Sequence, residues 1–387
     1  MAKKAYIGVN NVAHKIKKGY IGIDGVARKI KKAYIGIGGV ARPCWSGGEL
    51  AYYGTITNLR KGAYSLTATT IGNYALFAGG YGWNDDIRGA VNTVTAYNKT
   101  LTRSSPSNLN IASSDLASTI VGDYAIIGGG DSKTVTSYST SLTKGTPEQL
   151  NSSTSWAPYD CSATKIGNYA LFAGGGAEYM NKDVTSYDAS LTKGTPTALT
   201  VARCRMSATS IGNYALFVGG ITSSGVNTVD AYDTSLTKST PTVLSYRRFD
   251  AAATSVGNYA LIGGGHNNGT SYGNYGHQNT VEVYNTSLTL SAATNLQIGR
   301  DNLAATTVGE YAIFAGGQMG SSSQKYDISS HVDVYNASLT RTIGTSLSNA
   351  RKFLAATSIG DYALFGGGFY GSSSDAYSAD VDVYVVA

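Results

Sequence analysis

The sequence predicts an all-β fold: a β-propeller of seven four-stranded units. Three observations carry this expectation. First, a string of the form Ile/Val-Gly-Asn/Asp/Glu-Tyr-Ala recurs seven times, with its tyrosines at Tyr74, Tyr124, Tyr169, Tyr214, Tyr259, Tyr311 and Tyr362. Second, each string is followed within a few residues by a glycine pair, from Gly79-Gly80 to Gly367-Gly368. Third, the spacings between the tyrosines are 50, 45, 45, 45, 52 and 51 residues, and each unit breaks into four short β-type runs with no helical apolar period. Units of that length with four strands each are the blades of a propeller.

Taken from the start, residues 3–42 hold three copies of a 14-residue unit, with Lys3, Lys17 and Lys31 in register. Each copy is two five-residue β runs around Asn10-Asn11, Asp24-Gly25 or Gly38-Gly39, dipeptides that suit a two-residue hairpin turn. A three-hairpin meander is therefore expected over residues 1–45. Ten Lys/Arg and one acid give residues 1–42 a net charge of +9, while the other 345 residues carry −3. The whole-chain value of +6 thus describes neither part. A sheet of some 40 residues with no second layer is marginal alone. Docking on other subunits or on copies of itself is one reading of this head. A solvated sheet whose lysines guard its edges is another. Binding to nucleic acid or an anionic cell-wall polymer is a third, for which the charge is the sole argument. The unit, Tyr-Ile-Gly-Val-Asn-Asn-Val-Ala-His in its first copy and Tyr-Ile-Gly-Ile-Asp-Gly-Val-Ala-Arg in its second, resembles repeats of predicted phage and prophage structural proteins of Gram-positive bacteria.

Residues 46–387 form the repeat region. Runs such as Ala75-Leu76-Phe77-Ala78 are apolar on both faces, as in a strand packed between neighbouring sheets. Third strands end at Tyr97, Tyr138, Tyr187, Tyr232, Tyr284, Tyr335 and Tyr384, and six of these lead into a turn such as Ser190-Leu191-Thr192. The seventh unit stops after its third strand. Gly54–Leu59 aligns without gaps to Gly194–Leu199, so residues 50–59 are expected to supply the missing outer strand and pair an open edge. The glycine pairs and the sevenfold count over residues 49–387 resemble the kelch family, without its tryptophan late in each repeat.

In such a blade the 1–2 and 3–4 turns share one face, and these are nearly constant. The 2–3 and 4–1 connections share the other, and the 2–3 loops vary. Varied loops on a rigid frame carry function. They hold Tyr81, Trp83, Tyr179, His266, Tyr272, Tyr275, Tyr326 and Tyr370, aromatic groups of the kind that form adaptable binding surfaces or simply pack on neighbouring loops. An arginine stands 11 residues before the next repeat tyrosine at Arg203, Arg248, Arg300 and Arg351, where the first three units have Ala63, Ser113 and Pro158. The kelch resemblance implies that these arginines line a central pocket for a carboxylate or phosphate ligand. The alternative is a structural arginine paired with acids or carbonyls.

Several classes are disfavoured. No apolar stretch approaches a membrane span, no signal peptide follows Lys3-Lys4, and three cysteines form no disulfide framework. Cys161 sits where other repeats have Leu or Met, and reads as core filler. His266 and His277 share a loop, but no third ligand lies at metal spacing, so no metal and no cofactor are expected. The expectation is a non-enzymatic binding protein of a phage or phage-like particle, made in the bacterial cytoplasm. The propeller would meet a host-surface glycan or protein, and residues 1–45 would meet other subunits or copies of the chain. No membrane insertion is expected. A glycan-processing enzyme and a purely structural particle component are the alternatives.

Overall fold

The computed structural model describes residues 6–9, 12–15, 19–23, 26–30, 32–37, 40–46, 48–84, 87–176, 179–267, 276–320, 327–371 and 376–386, with backbone alone for residues 6–46. It is all-β, with four-stranded antiparallel sheets in a propeller-like arrangement. No helix of the described residues is long and apolar enough to cross a membrane.

The head contains three two-stranded hairpins: Tyr6–Val9 with Val12–Lys15, Gly19–Ile23 with Val26–Ile30, and Lys32–Ile37 with Val40–Ser46. They match the 14-residue units. Among the described residues each hairpin forms its own two-stranded ladder.

Seven four-stranded sheets follow among the described residues. The first is Thr67–Ile71, Tyr74–Ala78, Val94–Asn98 and Arg103–Ser104. The last is Ala355–Ile359, Tyr362–Gly366, Val381–Val386 and, from the other end of the chain, Leu50–Thr55. That last ladder sets Leu50 opposite Val386 and Thr55 opposite Asp382, with a bulge beside Tyr384.

Each second strand is apolar on both faces because both faces meet another sheet. One apolar cluster joins Phe77 and Tyr97 of the first sheet to Leu364 and Val383 of the last. Another joins Leu171 and Tyr232 across the third and fourth. Each late tyrosine is buried and donates its hydroxyl to a carbonyl near the end of the preceding unit: Tyr232 to Thr197 at 2.7 Å, Tyr97 to Thr57 at 2.6 Å. Thr57 thus stands where Thr197 stands, as the alignment of Gly54–Leu59 with Gly194–Leu199 requires.

The glycine pairs are inter-sheet joints. In six of the seven pairs the second glycine donates to the backbone of the next unit, as Gly220 does to Arg248 O at 2.8 Å and Gly368 to Ala63 O at 2.8 Å. At the first glycine of a pair, Gly219, φ is +64° and a Cβ would stand 2.4 Å from Arg248 O, so no other residue fits.

Outer strands are shorter than the sequence implies. The fourth sheet ends with Lys238–Ser239, not with a strand over 240–244. Pro241 explains this, since it offers no amide hydrogen to a ladder. Pro106, Pro147 and Pro196 stand at equivalent places, and their outer strands are also two residues long. The sheets without that proline have outer strands of Leu290–Ala293, Arg341–Ile343 and Leu50–Thr55. Proline at these edges blocks pairing with other chains.

Candidate functional site

Seven residues lead into the first strands of the seven sheets: Ser65, Asp115, Asp160, Arg205, Asp250, Asn302 and Phe353. All have φ between 52° and 55°, a left-handed conformation that non-glycine residues adopt rarely. The reason is a chain of backbone hydrogen bonds from sheet to sheet. Asp115 N donates to Ser65 O at 3.0 Å, Arg205 N to Asp160 O at 3.0 Å, Asp250 N to Arg205 O at 3.2 Å, Asn302 N to Asp250 O at 3.0 Å, Phe353 N to Asn302 O at 3.0 Å, and Ser65 N to Phe353 O at 3.0 Å. Turning each residue left-handed aims its amide at its neighbour and its side chain at one shared cavity of about 210 Å³. Below it, the cavity continues along alanine, serine and threonine of the first strands.

The cavity mouth is acidic and uneven. Arg205 forks onto Asp250, with Nε 2.8 Å from Oδ1 and a shorter second contact to Oδ2. Its guanidinium also lies 4.8 Å from the ring centre of Phe249. Asp115 accepts from Ser114 Oγ at 2.8 Å. Asp160 is crowded by protein, with one edge open to the cavity. Burial, helped by the charge of Asp115 and opposed by Arg205, pushes its carboxyl up to about 7. Unfolded, it would lose its proton near 3.8. Between those values the folded protein holds the extra proton, so stability falls as pH rises through this window and levels off above it. Asp160→Asn should therefore melt about 2–5 °C above the parent near pH 8, and within about 1 °C of it near pH 4. Calorimetry at the two pH values checks this, and an equal gap at both would refute it.

An aromatic group flanks the mouth. Tyr64 lies 5.6–5.7 Å, centre to centre, from Tyr81, Phe353, Phe369 and Tyr377. The loops reach this rim because they pair with the 4–1 connections: Tyr81 opposite Tyr64, His266 opposite Phe249, Phe369 opposite Lys352.

The expected site residues divide. Tyr81 joins the aromatic group. Trp83 is exposed, with Arg88 over its ring at 5.1 Å. Tyr179 is exposed and stacked on Trp156 at 5.4 Å, a partner the sequence did not reveal. Tyr370 is exposed, and His266 packs on Phe249 and His277. Tyr272, Tyr275 and Tyr326 lie outside the described residues.

The four arginines do not line the cavity. Arg203, Arg300 and Arg351 are 0% exposed and Arg248 is 1% exposed. Each meets an acid on the third strand of its own sheet: Arg203–Asp230 at 2.9 Å, Arg248–Glu282 at 2.7 Å, Arg300–Asp333 at 2.7 Å and Arg351–Asp382 at 2.6 Å. The geometry corrects the pocket reading in favour of structural pairs, because a guanidinium enclosed this way presents no atom to a ligand. A sequence signal was available. Where the arginine is Ala63, Ser113 or Pro158, the acid is Thr95, Thr136 or Thr185. That third-strand side chain has one duty in every sheet. It accepts the amide hydrogen after a buried leucine, from Arg60 N to Thr95 in the first and from Ser348 N to Asp382 in the last.

No family model and no curated protein sequence matches the chain. Among solved structures it is similar to YjhT, with a TM-score of 0.55 and 13% identity over 70% of this chain and 94% of that one. The likeness shows a shared fold and nothing about activity.

The residues that sequence reasoning missed are the left-handed ones, always two positions after the arginine slot. Their chemistry is not constant across the units while their neighbours repeat, and that contrast is the signal that could have found them. Cys161 and Cys204 are buried, and burial pushes both thiols up to about 12, so neither is a thiolate near neutral pH.

Proposed function

We propose that the chain is a closed, seven-bladed, kelch-type propeller that binds a hydroxyl-rich glycan at its mouth, as the non-enzymatic binding component of a phage-like particle. One observation carries the binding reading: seven equivalent backbone positions converge on one cavity with side chains of five kinds, three of them aspartates, beside an aromatic platform. Carboxylates and amides that accept and donate to hydroxyls, next to rings that cover apolar sugar faces, suit this ligand class. The ladder between Leu50–Thr55 and Val381–Val386 and the contact between first and last sheets support closure. The basic hairpins would join the propeller to other subunits, where many copies add avidity.

The test is retention of the full chain on immobilised cell-wall polysaccharide from Gram-positive bacteria. Asp115→Ala combined with Asp160→Ala should weaken binding at least about tenfold without lowering the melting temperature. No retention, or retention that ignores these substitutions, overturns the glycan reading. A second reading is glycan hydrolysis, which the convergence of Asp115, Asp160 and Asp250 favours, with burial pushing the carboxyls of Asp160 and Asp250 up to about 7, the range a general acid needs. Release of reducing ends from the polysaccharide would establish that reading instead.

A further inference from the structure

We propose that His266, His277 and Asp301 form a binding site for a divalent transition-metal ion of the zinc class. One potential ligand atom from each lies within 4.8 Å of the other two. The sequence hid the set because Asp301 comes from the connection into the next sheet, 24 residues beyond His277.

The side chains are built in. His277 is 6% exposed and Asp301 4%. His277 Nδ1 lies 3.0 Å from Asp301 Oδ2. Despite that closeness it makes no hydrogen bond, so the ring nitrogen is not aimed as a donor to the carboxylate. A simple imidazolium–carboxylate pair would align the two. Instead, the imidazole nitrogen and the carboxylate oxygen lie side by side in a buried place. Tetrahedral zinc holds ligands about 2.0–2.2 Å away, which sets two of them roughly 3.3 Å apart. The observed separation is close to that.

The surroundings hold each ligand. His266 exchanges two backbone hydrogen bonds with Phe249, at 2.8 and 3.0 Å, and its ring lies 5.2 Å from that of His277 at 89°. Asp301 exchanges two with Gln318, at 2.9 and 2.7 Å. Its other oxygen, Oδ1, accepts from Asn302 Nδ2 at 2.9 Å, which fixes the carboxylate as partners of metal ligands do. Gly276 leaves space at the His266 ring, since a Cβ there would stand 2.9 Å from Nε2. Two imidazoles and one carboxylate suit zinc, and three protein ligands leave a coordination position open.

The experiment uses the full chain, stripped with a chelator and titrated with Zn²⁺ by calorimetry and with Co²⁺ by visible absorption. One ion per chain, with the intense bands of tetrahedral cobalt, is expected. His266→Ala and Asp301→Asn should each weaken binding at least about 100-fold. His14→Ala and His331→Ala should leave it unchanged. If a variant at the site misfolds, the rise in melting temperature of the parent on adding Zn²⁺, reversed by chelator, gives an independent reading. No stoichiometric binding, no such rise, or binding indifferent to His266→Ala would overturn the proposal. These outcomes do not depend on whether the mouth binds a glycan.

Discussion

Asp333→Ala should destabilise the protein by about 3–5 kcal/mol, the cost of leaving a buried guanidinium without its partner. Asp333 is fully buried and holds three groups at once. Arg300 Nη2 donates to Oδ2 at 2.7 Å, Arg341 Nη1 to Oδ1 at 2.7 Å, and the Gln297 amide to Oδ1 at 3.0 Å. Burial lowers the proton affinity of Arg300, and the carboxylate opposes that shift. The first sheet shows what a compensated version looks like, with Ala63 at the arginine slot and Thr95 opposite. Arg300→Ala combined with Asp333→Thr should therefore recover at least half of the loss, because it removes the stranded charge and keeps an acceptor for Gln297 N. Urea unfolding of the parent, the single and the double variant measures both effects. A single variant within about 1 kcal/mol of the parent would refute the structural pair.

Removing residues 1–59 should be still more damaging, while removing residues 1–45 should leave the melting transition of the repeat region in place. The longer deletion takes away the ladder on Val381–Val386 and the backbone bonds from Ile56 N to Val381 O and from Leu59 N to Ala379 O. It removes Leu59, 5% exposed inside the cluster between the first and last sheets. It also removes the acceptor of the Tyr97 hydroxyl and the Tyr52 hydroxyl that donates to Asp382 at 2.6 Å. Loss of one core leucine costs about 2–5 kcal/mol, and each buried hydrogen bond about 1 kcal/mol more. The exposed edge of Val381–Val386 would then invite pairing between molecules. A shift of the chain to aggregates on size exclusion, with loss of a cooperative melt, is the expected result. An unchanged melt would refute the stabilising role of the Leu50–Thr55 ladder.

Much of the fold was legible because repetition multiplies a weak signal. A lone Gly-Asn-Tyr-Ala says little, but seven at nearly constant spacing locate strands, turns and the outer strand that returns from residues 50–59. The outer strands were overestimated because alternation continues past Pro241 while amide donors do not. The site was less legible. Arg203, Arg248, Arg300 and Arg351 stood out as regular and charged, yet regularity marked them as framework. The acids that neutralise them lie 27–34 residues on, a distance only the folded sheet closes. Asp115, Asp160 and Asp250 passed unnoticed because an irregular position hides among irregular loops, and their left-handed backbone leaves no glycine to flag it.

Each buried arginine and its acid belong to one repeat, since the arginine precedes the first strand and the acid sits on the third of the same sheet. The buried arginine and its acid are thus contained in one repeat, unlike Arg205 and Asp250, which pair across two. Duplicating one, or exchanging it for another of the 45-residue spacing, transfers both halves of the buried pair together. The same segment carries one residue of the mouth. Recombination between repeats can therefore rewrite the mouth one side chain at a time, with the buried arginine–acid pairs inherited intact.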